Sequence, residues 1–267
     1  MGGRSMNLNE TSLKIATTPI IAMASGKGGA GKTGMTLNLA TLLTQQGLKV
    51  LVFDGDMGLG NVDVQLGMTP NKDLGHVIAG QATLEEVISK SERGFWVIPG
   101  RSGHEQLPFL TALEQRDILK ELRNVAGAFD VVLIDVAAGV GKEVLTFVEY
   151  ADRTLLVTTP DPSSITDAYA VAKLLKVRYN KSTCEILVNN AGSEAEGRMT
   201  YEKIKTAAEK FLQIDLPLVG IVPHDRQYAA AVKMQKVASQ AFPNCDAVRA
   251  LTTIAKKIAP KREKQAA

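Results

Sequence analysis

A glycine-rich segment with two lysines is the part of this 267-residue sequence best suited to binding phosphate. The segment reads Gly26-Lys27-Gly28-Gly29-Ala30-Gly31-Lys32-Thr33 and lies between an apolar run at 20–25 and an amphipathic stretch at 33–47. A strand, a glycine loop and a helix in this order are the setting of a Walker A loop, in which backbone N–H groups and the helix N-terminus face phosphate oxygens. We therefore expect Lys32 to contact the β- and γ-phosphates of a nucleotide and Thr33 to ligate Mg²⁺.

Acidic residues end two further apolar runs and could complete a magnesium and water site. Asp54 and Asp56 follow one run, and Asp135 follows four apolar residues, which is a Walker B pattern. Asp56 is predicted to orient the attacking water within the metal site, Asp54 to support the magnesium shell, and Asp135 to hold the ion through a water. Gly139 is predicted to bring a backbone N–H close to the γ-phosphate. The alternative interpretation of Asp54 and Asp56 is a solvated acidic turn.

These groups need a scaffold that brings several strand ends together. Short apolar runs alternate with segments of helical period, which is typical of parallel strands joined by crossover helices. The predicted strands cover residues 20–25, 49–54, 95–99, 129–135, 154–159, 185–190 and 218–223, and the predicted helices cover 33–47, 107–126, 142–150, 163–179, 196–212, 227–236 and 246–258. The expected fold class is α/β, a P-loop NTPase with a doubly wound, mostly parallel sheet of about seven or eight strands and helices on both faces. We expect one ATPase domain at 19–258, between a flexible segment at 1–18 and a basic tail at 259–267.

Composition excludes several classes of protein. Hydrophobic residues make up 45% of the chain and charged residues 22%, so the chain can bury a core and does not resemble a disordered protein. Cys184 and Cys245 are far apart and outside any metal-ligand spacing, which speaks against zinc or cluster chemistry. No apolar run approaches the roughly 20 residues that cross a bilayer, and the first residues lack a signal-peptide core. We expect a cytoplasmic protein with at most peripheral contact with the inner face of the membrane.

The lysine near the start of the loop makes the motif more specific. GKGGxGKT is the loop of the deviant Walker A ATPases, and the chain resembles this MinD/ParA family over residues 20–258. The resemblance implies that the chain binds ATP with Mg²⁺, hydrolyses it slowly, and forms a homodimer when ATP is bound. It also implies that Lys27 reaches across this dimer to the phosphates of the partner subunit; the alternative is a solvated loop lysine.

The resemblance extends to the base pocket and to one departure beside the loop. It implies that Asn189 hydrogen-bonds adenine and that Pro223, His224 and Asp225 form a wall of the pocket. A capping Asn and an ordinary turn are the alternative. Gly34 stands where the family usually has a hydroxyl residue or Asn, so one phosphate contact is expected to be missing, and a glycine in the first helical turn costs up to about 1 kcal/mol.

Four stretches make the resemblance closest to the FleN/FlhG branch, the MinD-like ATPases that set flagellar number and position. They cover residues 54–63, 135–139, 160–170 and 221–225. The branch implies a molecular switch whose partner is a GTPase or a transcriptional regulator of flagellar assembly, and whose hydrolysis the partner stimulates.

Both ends of the chain depart from this branch. The segment at 8–14 keeps little of the N-terminal DQAxxLR motif with which FlhG-type proteins stimulate a GTPase. The last helix has an apolar stripe without Phe or Trp, which is more typical of core packing than of membrane insertion. Membrane attachment weaker than that of MinD is therefore expected.

Two other functions remain open at this point. A ParA-like ATPase that partitions DNA or cargo needs a basic surface on its ATP-bound dimer, and a net charge of only +3 disfavours DNA as a partner without removing it. A non-hydrolysing, nucleotide-sensing scaffold would keep Lys32 but would not need Asp56. Cysteine positions disfavour a third possibility, an iron-protein-like reductase.

Overall fold

The computed structural model describes residues 18–56, 62–100, 111–181 and 184–260. Its strands are β1 Ile20–Ala24, β2 Val50–Gly55, β3 Ser89–Lys90, β4 Trp96–Ile98, β5 Val131–Val136, β6 Arg153–Thr158, β7 Cys184–Ala191 and β8 Leu218–Pro223. They form one sheet in the order β3-β4-β2-β5-β1-β6-β7-β8. All neighbouring pairs are parallel except β3 and β4, which are antiparallel. The predicted fold class is confirmed, and β3 is the strand that the sequence did not predict, because two residues carry no periodic signal.

The helices alternate with these strands along the chain. They are α1 Lys32–Gln45, α2 Val62–Leu66, α3 Leu74–Ile78, α4 Ala112–Ala126, α5 Lys142–Tyr150, α6 Pro162–Tyr179, α7 Glu194–Leu212, α8 Arg226–Lys233, α9 Ala238–Ala241 and α10 Asp246–Ile258. The seven predicted helices correspond to α1, α4 to α8 and α10. The three short helices were not predicted, since five residues or fewer do not establish a helical period. Of the helix predicted at 107–126, residues 107–110 lie outside the described residues, as do residues 1–17 and 261–267 of the predicted ends.

The sheet lies between two hydrophobic layers. Alternate residues of β1 face opposite layers, with Ile20 packing on the side of α4 to α7 and Met23 on the side of α1 and α10. Because both faces are covered, the central strands β1, β2 and β5 are buried along their whole length. This double covering explains why the central strands are continuous apolar runs in the sequence.

Helix α10 is a core element of the second layer. Its apolar stripe, Val248, Leu251, Ile254, Ala255 and Ile258, is buried, and the helix packs against β8 and α1. The prediction that the last helix packs on the core is therefore confirmed. Within the described ranges, no helix combines the length and apolar character needed to span a bilayer.

Candidate active site

The candidate site lies where three neighbouring strands of the sheet end. In the order β2-β5-β1, Asp54 on β2 pairs in register with Asp135 on β5, and Met23 on β1 pairs with the same aspartate. The glycine loop leaves β1 immediately beyond this point. The fold therefore brings the loop and both strand-end carboxylates to one edge of the sheet, as the sequence predicted.

The loop is shaped so that its backbone faces a ligand. Gly29 and Gly31 have φ angles of +78° and +92°, in the left-handed region where glycine carries no penalty. Gly31 is the N-cap of α1 and provides no side-chain cap, so the first N–H groups of this helix are left for another acceptor. A helix N-terminus with uncapped donors attracts anions such as phosphate.

Lys32 is a buried cation at the centre of this site. Its Nζ donates a hydrogen bond to Ser25 Oγ at 2.9 Å, and Ser25 Oγ donates in turn to the Lys27 carbonyl at 2.7 Å. Burial lowers the pKa of Lys32, while the negative charges of Asp135 and Asp56 raise it and favour the charged form. Ser25 was not predicted as a functional residue, although a hydroxyl at the end of a buried strand was a usable signal.

Two adjacent carboxylates, those of Asp54 and Asp135, are buried at the site, where their charged forms are unfavourable. Burial, and then the charge of Asp135, raise the pKa of Asp54 to about 7. Burial raises the pKa of Asp135 to about 6, against hydrogen bonds from Thr33 and Thr36 and the charge of Lys32. Thr36 Oγ1 donates to Asp135 Oδ1 at 3.2 Å. Thr36 is a further site residue that was not predicted from the sequence. The only feature that could have indicated it is its hydroxyl, one helical turn after the loop.

Asp54 also accepts two backbone hydrogen bonds beyond the end of β2. Its Oδ1 accepts the Asp56 N–H at 3.2 Å and its Oδ2 accepts the Val62 N–H at 3.1 Å. The first bond holds Asp56, a partly buried residue, beside the strand end. The solvated acidic turn is thus wrong for Asp54, which is buried.

The residues present fit a magnesium ion. Thr33 and Asp135 would supply oxygen ligands, which Mg²⁺ prefers, and a dication would offset the repulsion between the buried carboxylates of Asp54 and Asp135. In the part of the chain that the structure describes, no group of three or more His, Cys, Asp or Glu side chains forms a metal cage. Water and phosphate oxygens would therefore complete the coordination, as is usual for Mg²⁺ at nucleotide sites.

Gly139 connects the end of β5 to the phosphate loop. Its φ angle is +109°, and its N–H donates to the Ser25 carbonyl at 2.9 Å. The residue predicted to approach the γ-phosphate thus lies beside the start of the loop, where its N–H is bonded to the chain.

The residues expected around the base divide into two groups. Asn189 reaches the loop, where its Nδ2 donates to the Ala30 carbonyl at 2.8 Å. Pro223, His224 and Asp225 lie at the end of β8, three positions from β1 in the sheet order. Asp225 caps α8 by accepting the N–H groups of Gln227 and Tyr228.

A cavity of about 350 Å³ beside this turn is lined by His224 and Asp225, but none of its lining residues belongs to the phosphate loop. The cavity is therefore separate from the site built around Lys32. His224 itself shares a hydrogen bond with Asn190, with 2.8 Å between Nδ1 and Oδ1.

Lys27 lies on the start of α6 of its own chain. Its Nζ donates to Ser163 Oγ at 2.9 Å and is 3.5 Å from Asp161 Oδ2. Both partners belong to the stretch at 160–170 that carried the resemblance to the FleN/FlhG branch. The sequence alone could not have paired them with Lys27, since they lie more than 130 positions away.

A glycine loop that opens a buried helix, with a lysine, a hydroxyl and strand-end carboxylates around it, defines a P-loop nucleoside triphosphatase. Comparison with known proteins identifies the family of P-loop nucleoside triphosphatases to which the chain belongs. An AAA domain family (AAA_31) matches residues 18–185. The chain is 37% identical over 239 residues to the antiactivator FleN of Pseudomonas aeruginosa, covering 90% of this chain and 85% of that protein. It is also 37% identical over 228 residues to the flagellum site-determining protein YlxH of Helicobacter pylori, covering 85% and 77%.

A solved structure of a related protein has a similar fold. The septum site-determining protein MinD of Pyrococcus horikoshii, complexed with Mg-ADP, superposes with a TM-score of 0.76 at 27% identity, covering 91% of this chain and 96% of that one. The chain belongs to the MinD/ParA family of ATPases, in its FleN/FlhG branch. It is an ATPase whose substrate is ATP and whose metal is Mg²⁺.

Proposed function

We propose that this chain is an ATP-driven, dimerising switch that sets the number or position of flagella. The observation that carries the proposal is the meeting of Lys32 with Asp54 and Asp135 at one sheet edge, beside a loop that also supplies Lys27. The flagellar role is supported by two relatives that are 37% identical, one an antiactivator and the other a flagellum site-determining protein.

The residues divide the work of phosphoryl transfer among them. Lys32 exchanges its bond to Ser25 for the β- and γ-phosphate oxygens, and the N–H groups of the loop donate hydrogen bonds to phosphate oxygens. Thr33 and Asp135 would hold Mg²⁺, which would supply positive charge to offset that of the phosphate oxygens. Asp56, at the mouth of the site, orients the attacking water in line with the γ-phosphate.

Lys27 couples the nucleotide to dimerisation. Its contacts with Ser163 and Asp161 are exposed, and exposed ion pairs contribute at most about 1 kcal/mol, so they are readily given up. In the dimer, Lys27 contacts the phosphates of the partner subunit. ATP then favours the dimer and hydrolysis favours the monomer, which lets a partner protein bind one state in preference to the other.

We also propose the bounds of the domain, the residues around adenine, the cellular location and the partner. The ATPase domain covers 19–258, Asn189 and Pro223 to Asp225 border the adenine, and the protein acts in the cytoplasm with weak contact at the inner face of the membrane. Its partner is a GTPase or a transcriptional regulator of flagellar assembly; the antiactivator role of the P. aeruginosa relative supports a regulator.

Light scattering after size exclusion, with and without ATP and Mg²⁺, tests the switch. We expect wild type to form a dimer only with ATP, Asp56→Ala to be trapped as a dimer because it does not hydrolyse, and Lys27→Ala to stay monomeric. Lys120→Ala, which removes an exposed lysine of α4, is the matched control and should behave as wild type. The proposal is wrong if Lys27→Ala dimerises as wild type does, or if Asp56→Ala hydrolyses ATP at the wild-type rate.

A further inference from the structure

The hydroxyl of Tyr228 is a buried polar group beside the phosphate site. Tyr228 belongs to α8, and its ring packs against the hydrophobic layer that contains α1. Its Oη is inaccessible to solvent, and no group in the described ranges lies in hydrogen-bonding geometry with it. Native proteins seldom leave a buried hydroxyl in this state, because the lost hydration is not repaid.

Asn38 is the candidate partner inside the chain. It is close enough to lower the pKa of Tyr228 as a hydrogen-bonding neighbour, but its amide does not meet hydrogen-bond geometry with Oη, and one N–H of its Nδ2 donates to the Gly34 carbonyl at 2.7 Å. The Oδ1 of Asn38 accepts the Ser239 N–H at 2.8 Å. Burial dominates and raises the pKa of Tyr228, so the phenol stays protonated and has a proton to donate.

The hydroxyl is directed at the first turn of α1. A Cβ built on Gly34 would lie 3.0 Å from Tyr228 Oη and 3.9 Å from Cζ. Gly34 directly follows Thr33, in the turn whose uncapped N–H groups face the phosphate site. The phenol thus occupies the space of a side chain at position 34.

We propose that Tyr228 Oη is a nucleotide ligand that donates a hydrogen bond to a phosphate oxygen at the N-terminus of α1, in place of the side chain that position 34 lacks. The inference rests on the proposed function, since it requires a nucleotide in this site. Lys32 is assigned to the β- and γ-phosphates, so the phosphate nearest Gly34 is one that ATP and ADP share. Both nucleotides should therefore depend on the hydroxyl to the same degree.

Tyr228→Phe removes the hydroxyl alone and tests the proposal. A hydrogen bond to a charged group typically accounts for a tenfold change in affinity or more, so the dissociation constants of fluorescent ATP and ADP analogues with Mg²⁺ should each rise about tenfold. Urea unfolding of the nucleotide-free variant should show unchanged or higher stability, because an unpaired buried hydroxyl has been removed. Tyr201→Phe, on α7 in the other layer, is the matched control and should leave the affinity unchanged.

A second substitution distinguishes a ligand from a packing residue. Gly34→Ser in the Tyr228→Phe background returns a hydroxyl to the same place and should recover part of the lost affinity. If Tyr228→Phe binds both nucleotides as wild type does, or loses stability in the nucleotide-free form without losing affinity, the phenol is structural and the inference is wrong. If wild type and Tyr201→Phe bind no more nucleotide than Lys32→Ala, the proposed function itself fails.

Discussion

A methyl group added at Gly26 should destabilise the chain strongly, although the residue lies in a loop. A Cβ at this position would lie under 3.0 Å from the carbonyl carbon, the carbonyl oxygen and the Cβ of Asp167 on α6. Heavy atoms in contact normally stand about 3.5–4.0 Å apart, whereas these three distances would be 2.4–2.5 Å, so each contact would be too short by roughly 1 Å. The overlap is with backbone as well as side chain, and α6 has no rotamer change that could remove it.

The size of the effect follows from this geometry. Overpacking commonly costs about 1–3 kcal/mol, and a clash with helix backbone belongs at the upper end of this range. For a domain of this size, each kcal/mol lowers the melting temperature by roughly 2–4 °C. We therefore expect Gly26→Ala to lose about 3 kcal/mol of unfolding free energy and roughly 6–12 °C of melting temperature without nucleotide.

Gly28→Ala is a closely matched control. The same methyl group there would meet no atom within 4 Å. Its unfolding free energy should stay within about 0.5 kcal/mol of wild type. Urea and thermal unfolding of the three nucleotide-free proteins, followed by circular dichroism, give the comparison. Equal midpoints for Gly26→Ala and Gly28→Ala would refute the close packing of the phosphate loop against α6.

Three further predictions follow from the same site and from the last helix. The pKa of Asp54 is about 7 in the folded chain and about 3.9 in the unfolded chain. Between these values the folded state keeps a proton that the unfolded state loses. The free energy of unfolding of the wild type without Mg²⁺ should therefore fall by a few kcal/mol as the pH rises from about 4 to 7. Asp54→Asn should flatten this decline in urea unfolding; a slope equal to that of wild type would contradict the assignment. Gly31→Ala should weaken nucleotide binding at least tenfold in fluorescence titrations, because φ is +92° there and the new Cβ would press on Asn189; unchanged affinity counts against the loop geometry. In liposome co-sedimentation of the full chain with ATP, we expect weak binding, since the apolar stripe of α10 is buried, and strong binding would contradict this expectation.

The sequence predicted the scaffold well because the scaffold depends on local patterns. Buried parallel strands have to be apolar runs, and amphipathic helices have to repeat every three to four residues, so α5 and α10 were predicted with the bounds they have. The same reasoning failed for β3, which is a two-residue edge strand held by its pairing with β4. The pairing, and not the residues themselves, defines that element.

Site residues were predictable only where a motif fixes their neighbours. Lys32 and Asp135 belong to motifs that define their surroundings, whereas Ser25 became a partner of Lys32 only through the fold. Tyr228 is the clearest case, because nothing in its local sequence relates a helix near the C-terminus to a glycine at position 34. Long-range contacts of this kind depend on the order of strands in the sheet, which spacing along the chain does not reveal.

Burial determines how much electrostatic free energy each charged group of the site contributes. The pair formed by Lys27 and Asp161 has side chains 44% and 62% exposed, so water screens it and its loss changes the free energy by no more than about 1 kcal/mol. Asp54 and Asp135 are buried side by side, and burial is the main reason that both pKa values are raised. The charge of Asp135 raises the pKa of Asp54 further, and a bound dication would relieve this repulsion. Binding of Mg²⁺ with nucleotide should therefore gain much more favourable free energy from the carboxylates at the strand ends than from Lys27. Under the proposed function, Lys27 would therefore leave its own chain for a second subunit at little cost, while the buried carboxylates would make the larger contribution to the binding of Mg²⁺ with nucleotide.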